Sequence, residues 1–165
     1  VDFDAAFDRH YSALYRYVHR LTGDADVAED VAQESFVRLL ENEVPEESVR
    51  SWLFTVATNL VRDRSRTRDR RRRLLEAEDY GPDRPDRPDE RTVRAERIER
   101  VREALDELKA RDRKILLLRE EGFQYSEIAE MIGVKASSVG TLLARALRRF
   151  EEAYRELEDA PERED

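Results

Sequence analysis

The apolar residues of this chain recur at intervals of three and four, and no stretch alternates convincingly at two. A helix repeats every 3.6 residues and a strand every two, so such a chain must build its core by packing helices on helices. Phe7, Tyr11, Leu14, Val18 and Leu21 form one stripe, ended by Gly23. Val27, Val31, Phe36, Leu39 and Leu40 form the next, behind Asp26 and Glu29 as a capping box. Pro45 interrupts the pattern, because a proline disfavours helix at the preceding Val44. A third helix is expected from near Ser48, carrying Trp52, Leu53, Val56, Ala57 and Leu60 into the run RDRSRTRDRRRR at Arg62–Arg73. Ile98, Val101, Leu105 and Leu108 make a fourth stripe. Ile115–Leu118 begins a fifth, closed by Gly122. The expected fold class is all-α.

The stripes fall into two groups. Between them lies EAEDYGPDRPDRPDERT (76–92), with three prolines in seven residues and almost nothing to bury. The expected organisation is a domain at 1–75, a flexible acidic linker at 76–92, a second domain at 93–150 and an acidic tail at 151–165, the two domains moving independently. The net charge of −8 argues at first against a nucleic-acid partner. Its distribution argues the other way: residues 62–73 carry +6 and 93–150 carry +3, between segments of −7, −4 and −6. Phosphate responds to the field over roughly 8–10 Å, so local islands matter more than the total. There are no cysteines, which excludes disulfides and thiolate metal sites and suits a reducing cytoplasm. Neither a membrane-spanning run nor a signal peptide is present, so the expectation is a cytoplasmic protein, monomeric when free.

Tyr125–Phe150 reads as a short helix, a turn at Gly133 and a longer helix. At 100° per residue, Val139, Leu142, Leu143, Ala146 and Phe150 share a buried face. Ser137, Thr141, Ala144 and Arg148 lie opposite, flanked by Ser138 and Arg145. A dimer seam would need a large apolar residue on that outer face, and none is there. Short polar side chains let a helix approach base edges, and arginines reach guanine or phosphate. Ile128, Ala129 and Ile132 hold the first helix against the second, and Gly133 permits the tight turn. The pattern is that of a helix-turn-helix, although an αα-hairpin with a solvated face would share much of it.

DADVAEDVAQESFVRLL (Asp24–Leu40), VRSWLFTVATNLVRDRSR (Val49–Arg66) and SVGTLLARALRR (Ser138–Arg149) occur in that order. Together they resemble the sigma-70 family of bacterial transcription initiation factors. The chain looks most like the extracytoplasmic-function (ECF) class, which keeps only the second and fourth conserved regions. The resemblance implies a sigma factor with core RNA polymerase (clamp helices and flap) and promoter DNA as partners, and it admits an anti-sigma factor. No paired acid and base, nucleophile with partner or glycine-rich phosphate cradle is in view, so no catalysis, cofactor or metal is expected. Asp30, Gln33, Glu34 and Arg38, a polar stripe that otherwise reads as a solvated helix face, become the polymerase-binding set. Trp52, whose spacing alone says core, frames the melted −10 strand with Asn59, Arg62, Asp63 and Arg66. Arg70, Arg71, Arg72 and Arg73 become a basic anchor. Lys135, Ser137, Ser138, Thr141, Arg145, Arg148 and Arg149 face the −35 element.

Two positions depart from the family, which has basic residues where this chain has Thr58 and often where it has Leu143; both are expected to weaken DNA contacts. The loop Asn42–Ser48, where relatives capture a flipped base, has no aromatic residue to stack on it. His10 and His19 have no third ligand in view and read as structural or solvated. The competing reading is a two-domain helix-turn-helix regulator that is not a polymerase subunit. As in the response-regulator class, its first domain would alternate strands and helices, and this first half does not. A helical adaptor would need neither the basic island nor the small polar face at 137–141.

Overall fold

The computed structural model describes residues 1–74 and 93–160, with the side chains of 68–74 excepted. Among the described residues there are seven α-helices and no strand. They are α1 (Phe3–Thr22), α2 (Ala25–Leu40), α3 (Val49–Leu74), α4 (Val93–Asp106), α5 (Ala110–Glu120), α6 (Tyr125–Ile132) and α7 (Ala136–Asp159). The linker proposed at 76–92 and the tail beyond residue 160 lie outside the described residues.

The first three helices pack on one another, α1 on α2 and both on α3. Asp2 caps α1, accepting from the Ala5 N–H at 3.1 Å. Gly23, at φ 71°, turns the chain out of α1 in the left-handed region that a side chain would strain. The cap of α2 is Asp24, two residues before the expected Asp26. Its backbone is extended and its carboxylate accepts from the N–H groups of Asp26 and Val27 at 2.9 and 3.0 Å. A short 3-10 turn at Glu46–Ser48 absorbs Pro45 and leads into α3. The core holds Leu14, Val18, Leu21, Val31, Phe36, Leu39, Leu53, Ala57 and Leu60, as the stripes anticipate. It also holds Tyr17, Phe54, Thr58 and Val61, which they do not. Leu40, expected inside, is 65% exposed.

In the second half, α7 packs along α4, α5 and α6. Helix α5 begins at Ala110, a full turn before the apolar run that announces it, because Asp112 is buried with Ile115 and Leu118. Gly133 closes α6 at φ 71° and turns the chain into α7. The last helix does not stop at Phe150. It continues through the acidic segment to Asp159, with Ala153, Tyr154 and Leu157 half-buried.

The two halves also pack on each other, α1 against α5 and α3 against α6. In this structure the two domains are in contact. Its core is continuous from Leu14 to Ala146.

Candidate nucleic-acid interface

The turn at Gly133 sets α6 and α7 as a helix-turn-helix. Glu127 accepts the Gln124 N–H at 2.7 Å and so fixes the start of α6. Ile128, Ala129 and Met131 are buried beneath α7, as are Val139 and Ala146 on α7 itself. That fixes the roll of the helix. Lys135, Ser137, Thr141, Arg145 and Arg148 are exposed and Ser138 is half-buried. The outer face is the one the spacing predicts. Leu143 is half-buried and packed against the core, so a basic residue there would not have been on the centre of that face.

Arg149 is placed differently from expectation. Its guanidinium is hydrogen-bonded to the carboxylate of Asp112 on α5, which is almost wholly buried. An arginine held by a buried carboxylate has part of its donor fork already occupied. It ties α7 to α5 while about half of its side chain stays at the surface.

On α3, Trp52, Val56, Asn59, Asp63 and Arg66 follow one another at helical spacing, with Arg62 at the edge. Trp52 and Asn59 are half-buried, while Arg62, Asp63 and Arg66 are exposed. Trp52 packs on the margin of the core and keeps part of its ring at the surface. Arg62 Nε lies 3.7 Å from Asp63 Oδ1, an exposed pair worth little by itself. Helix α3 runs on through Arg70, Arg71, Arg72 and Arg73, whose side chains lie outside the described ones. Thr58 does not face this surface at all. It is 3% exposed, donates to the Phe54 carbonyl at 2.7 Å, and shares a hydrogen bond of 2.7 Å with the Tyr17 hydroxyl. Its departure from a basic residue therefore removes no contact from this surface; a charge at 58 would be buried. Burial drives the Tyr17 phenol far above its ordinary range, so it stays protonated at any working pH.

At the loop after α2 a pocket opens, lined by Phe3, Leu39, Leu40, Asn42, Val44 and Pro45. The loop has no aromatic residue, but the fold brings one to it from α1. Phe3 stands edge-on to Phe36 at 6.0 Å in a cluster with Phe7 and Tyr11. The pair of phenylalanines four residues apart was a legible signal for an aromatic patch, and only the fold shows where it lies.

On α2, Asp30, Gln33 and Arg38 are exposed and Glu34 is half-buried. Arg38 Nε donates to Glu34 at 2.8 Å and Gln33 donates to Glu29 at 3.2 Å, while Asp30 lies 3.6 Å from Arg64 on α3. The four share one face, and the exposed Val37 stands at its centre.

Two halves, one with a basic helix and one with a helix-turn-helix, match family models independently. Residues 6–71 match Sigma-70 region 2 and residues 98–150 match Sigma-70, region 4. The chain belongs to the sigma-70 family. Several of its relatives are named ECF RNA polymerase sigma factors. It is 33% identical over 160 residues to the ECF RNA polymerase sigma factor SigL of Mycobacterium tuberculosis (strain ATCC 25618 / H37Rv), covering 93% of this chain and 89% of SigL. It is 31% identical to the RNA polymerase sigma factor YlaC of Bacillus subtilis (strain 168), covering 85% and 84% of the two chains. Among solved structures, the fold is similar to the sigma factor RpoE of Bartonella quintana, solved with the anti-sigma factor NepR. The TM-score is 0.73 at 22% identity, covering 93% of this chain and 97% of RpoE. This sigma factor is a regulatory initiation factor that directs RNA polymerase to promoters. The alternating strands and helices of a response-regulator domain are absent from the described first half. No described helix is long and apolar enough to cross a membrane.

Proposed function

We propose that the three exposed surfaces divide the work of this sigma factor among polymerase, the −10 element and the −35 element. Asp30, Gln33, Glu34 and Arg38 on α2 take the clamp helices of core polymerase. Trp52, Asn59, Arg62, Asp63 and Arg66 on α3 read the −10 element as melted single strand, with Arg70–Arg73 as an electrostatic anchor. Lys135 at the N-cap of α7 and Ser137, Ser138, Thr141, Arg145, Arg148 and Arg149 on α7 read the −35 element, Arg149 also holding Asp112, and the second half meets the polymerase flap. The domains divide at 1–75 and 93–150. The factor works in the cytoplasm, and an anti-sigma factor is its candidate regulator.

The observation that carries this reading is the roll of α7. Burial of Val139 and Ala146 turns Leu142, Leu143 and Phe150 against the core, leaves Leu147 exposed at the flank, and keeps outside the short polar residues that admit a base edge and the arginines that follow them. A test is transcription by purified core polymerase with and without the chain. Defined starts at promoters bearing one −10 and −35 pair support the reading, and Asn59→Ala should impair open-complex formation more than initial binding. If Asn59→Ala melts a duplex promoter as well as the parent does, the −10 assignment to α3 fails.

A further inference from the structure

Asp112 is a buried carboxylate outside all three reading surfaces. It sits in the first turn of α5, only 3% exposed. The positive end of that helix suits its charge. Its neighbour Arg113 donates to the carbonyls of Leu105, Asp106 and Leu108 at 2.8, 3.1 and 3.2 Å, which ties the start of α5 to the chain leaving α4. A directional anchor on a firm base thus stands beside α7, and Arg149 is the side chain that meets it.

Helix α7 needs such an anchor, because its apolar residues offer two seats. Val139, Leu142, Leu143, Ala146 and Phe150 face the core. Leu143, Leu147, Phe150 and Tyr154 form a second stripe, centred about 50° to one side at 100° per residue. Leu147 is 48% exposed, so a roll toward the second stripe would bury it. Hydrophobic burial carries no direction of its own and does not forbid that roll. At a helix radius of about 5–6 Å, the roll would carry the outer side chains about 5 Å sideways, more than the rise of about 3.4 Å per base pair. Leu147 and Arg149 lie on opposite flanks of the core face, each about 80° from Val139. Burying Leu147 therefore lifts Arg149 off α5 and leaves Asp112 inside without its partner, which is costly for a charged group.

We propose that the Asp112–Arg149 pair positions the recognition helix: it selects the seat in which Ser137, Thr141, Arg145 and Arg148 face the −35 element. Asp112 acts on DNA through Arg149 and α7 without touching it. The inference rests on the reading that α7 meets the −35 element, and it gives Arg149 its part in that reading.

The test is how well the holoenzyme discriminates between promoters that differ by one base pair in the −35 element. One wrong pair in a well-read element costs roughly 5- to 100-fold in binding. Asp112→Asn should cut that ratio to about threefold or less, with the salt slope of binding unchanged because no phosphate contact is lost. Arg149→Gln removes the pair from its half-exposed side and should do the same, and it carries the test if Asp112→Asn does not fold. The double variant should be no worse than either single one, since all three remove one interaction. Arg149→Lys keeps the charge and should recover part of the ratio. Leu147→Gln takes away the competing seat at an exposed site. Added to Asp112→Asn or Arg149→Gln, it should return discrimination toward the parent's while the melting temperature stays low. Arg100→Gln, which frees α7 from α4 at Glu158, should lower stability and leave the ratio alone. Parental discrimination in the folded single variants, or no recovery on adding Leu147→Gln, overturns the proposal. A parent holoenzyme indifferent to the −35 sequence would instead overturn the assignment of that element to α7.

Discussion

Asp112 is the only charged side chain buried in the described core, and Arg149 reaches it from α7. Arginine at 149 reads in sequence as one more phosphate contact, because nothing in its neighbours tells where the helix turns it. Both arginines are exposed, and what separates Arg149 from Arg148 is its ion pair with Asp112. Leaving a buried carboxylate without its partner costs about 1–3 kcal/mol. Arg149→Ala should therefore lower the melting temperature and leave the salt dependence of −35 DNA binding near that of the parent. Arg148→Ala should do the reverse, with little change in stability and a loss of about one from the slope of log K against log salt. Titrations over several salt concentrations decide it, and a loss of slope in Arg149→Ala would return that residue to the phosphates. Arg145→Ala belongs to the same set. It should cost about 1–3 kcal/mol and relax preference at one position of the −35 element if Arg145 meets a base. A loss uniform over all sequences would reassign it to the backbone.

At the scale of helices, periodicity located nearly every element, and it erred where charge hid it. Phe150, Ala153, Tyr154 and Leu157 keep helical spacing beyond the recognition segment, yet eight acids in 151–165 make that stretch read as a solvated tail. In the structure those apolar residues are half-buried, and Arg100 of α4 lies 3.8 Å from Glu158. Helix α3 similarly buries Phe54, Thr58 and Val61, because its core face is rolled from the one that Trp52 and Val56 suggest. The continuation of α7 changes how the acids are to be tested. Deleting 151–165 would strip packing from α4 as well as charge. Glu151→Gln with Glu152→Gln removes the two charges three and four residues beyond Arg148, and both sites are exposed. This double variant should bind −35 DNA a few-fold more tightly at low salt, with the advantage shrinking as salt rises. Equal affinity at low salt would leave the acids with no part in DNA binding.

At the scale of the whole molecule, the proline-rich segment reads as a linker between two helical domains, and the described halves meet at a seam. No local pattern announces such a seam, since Arg50, Phe54, Glu121 and Phe123, which meet there, are ordinary members of their own helices and turns. The two histidines give a measure of the assembled fold. His10 is held below its ordinary value of 6.5 by burial first, then by Arg9 and Arg50. His19 is held below 6.5 by burial first, then by Arg102 of the other half and Arg20, with Asp24 acting in the opposite direction. A group whose folded value is lowered binds its proton more readily unfolded. Their contribution is therefore complete above about pH 6.5, where both states are neutral, and it declines as pH falls below that and the unfolded chain takes up protons first. The melting temperature should fall between pH 7.5 and 5.5, above the range in which most carboxylates titrate. His10→Gln with His19→Gln should flatten that fall. An unchanged slope in the double variant would assign the pH dependence to other groups. Arg102→Gln should recover part of the stability lost at pH 5.5, because the positive charge it removes acts on His19 from the opposite half.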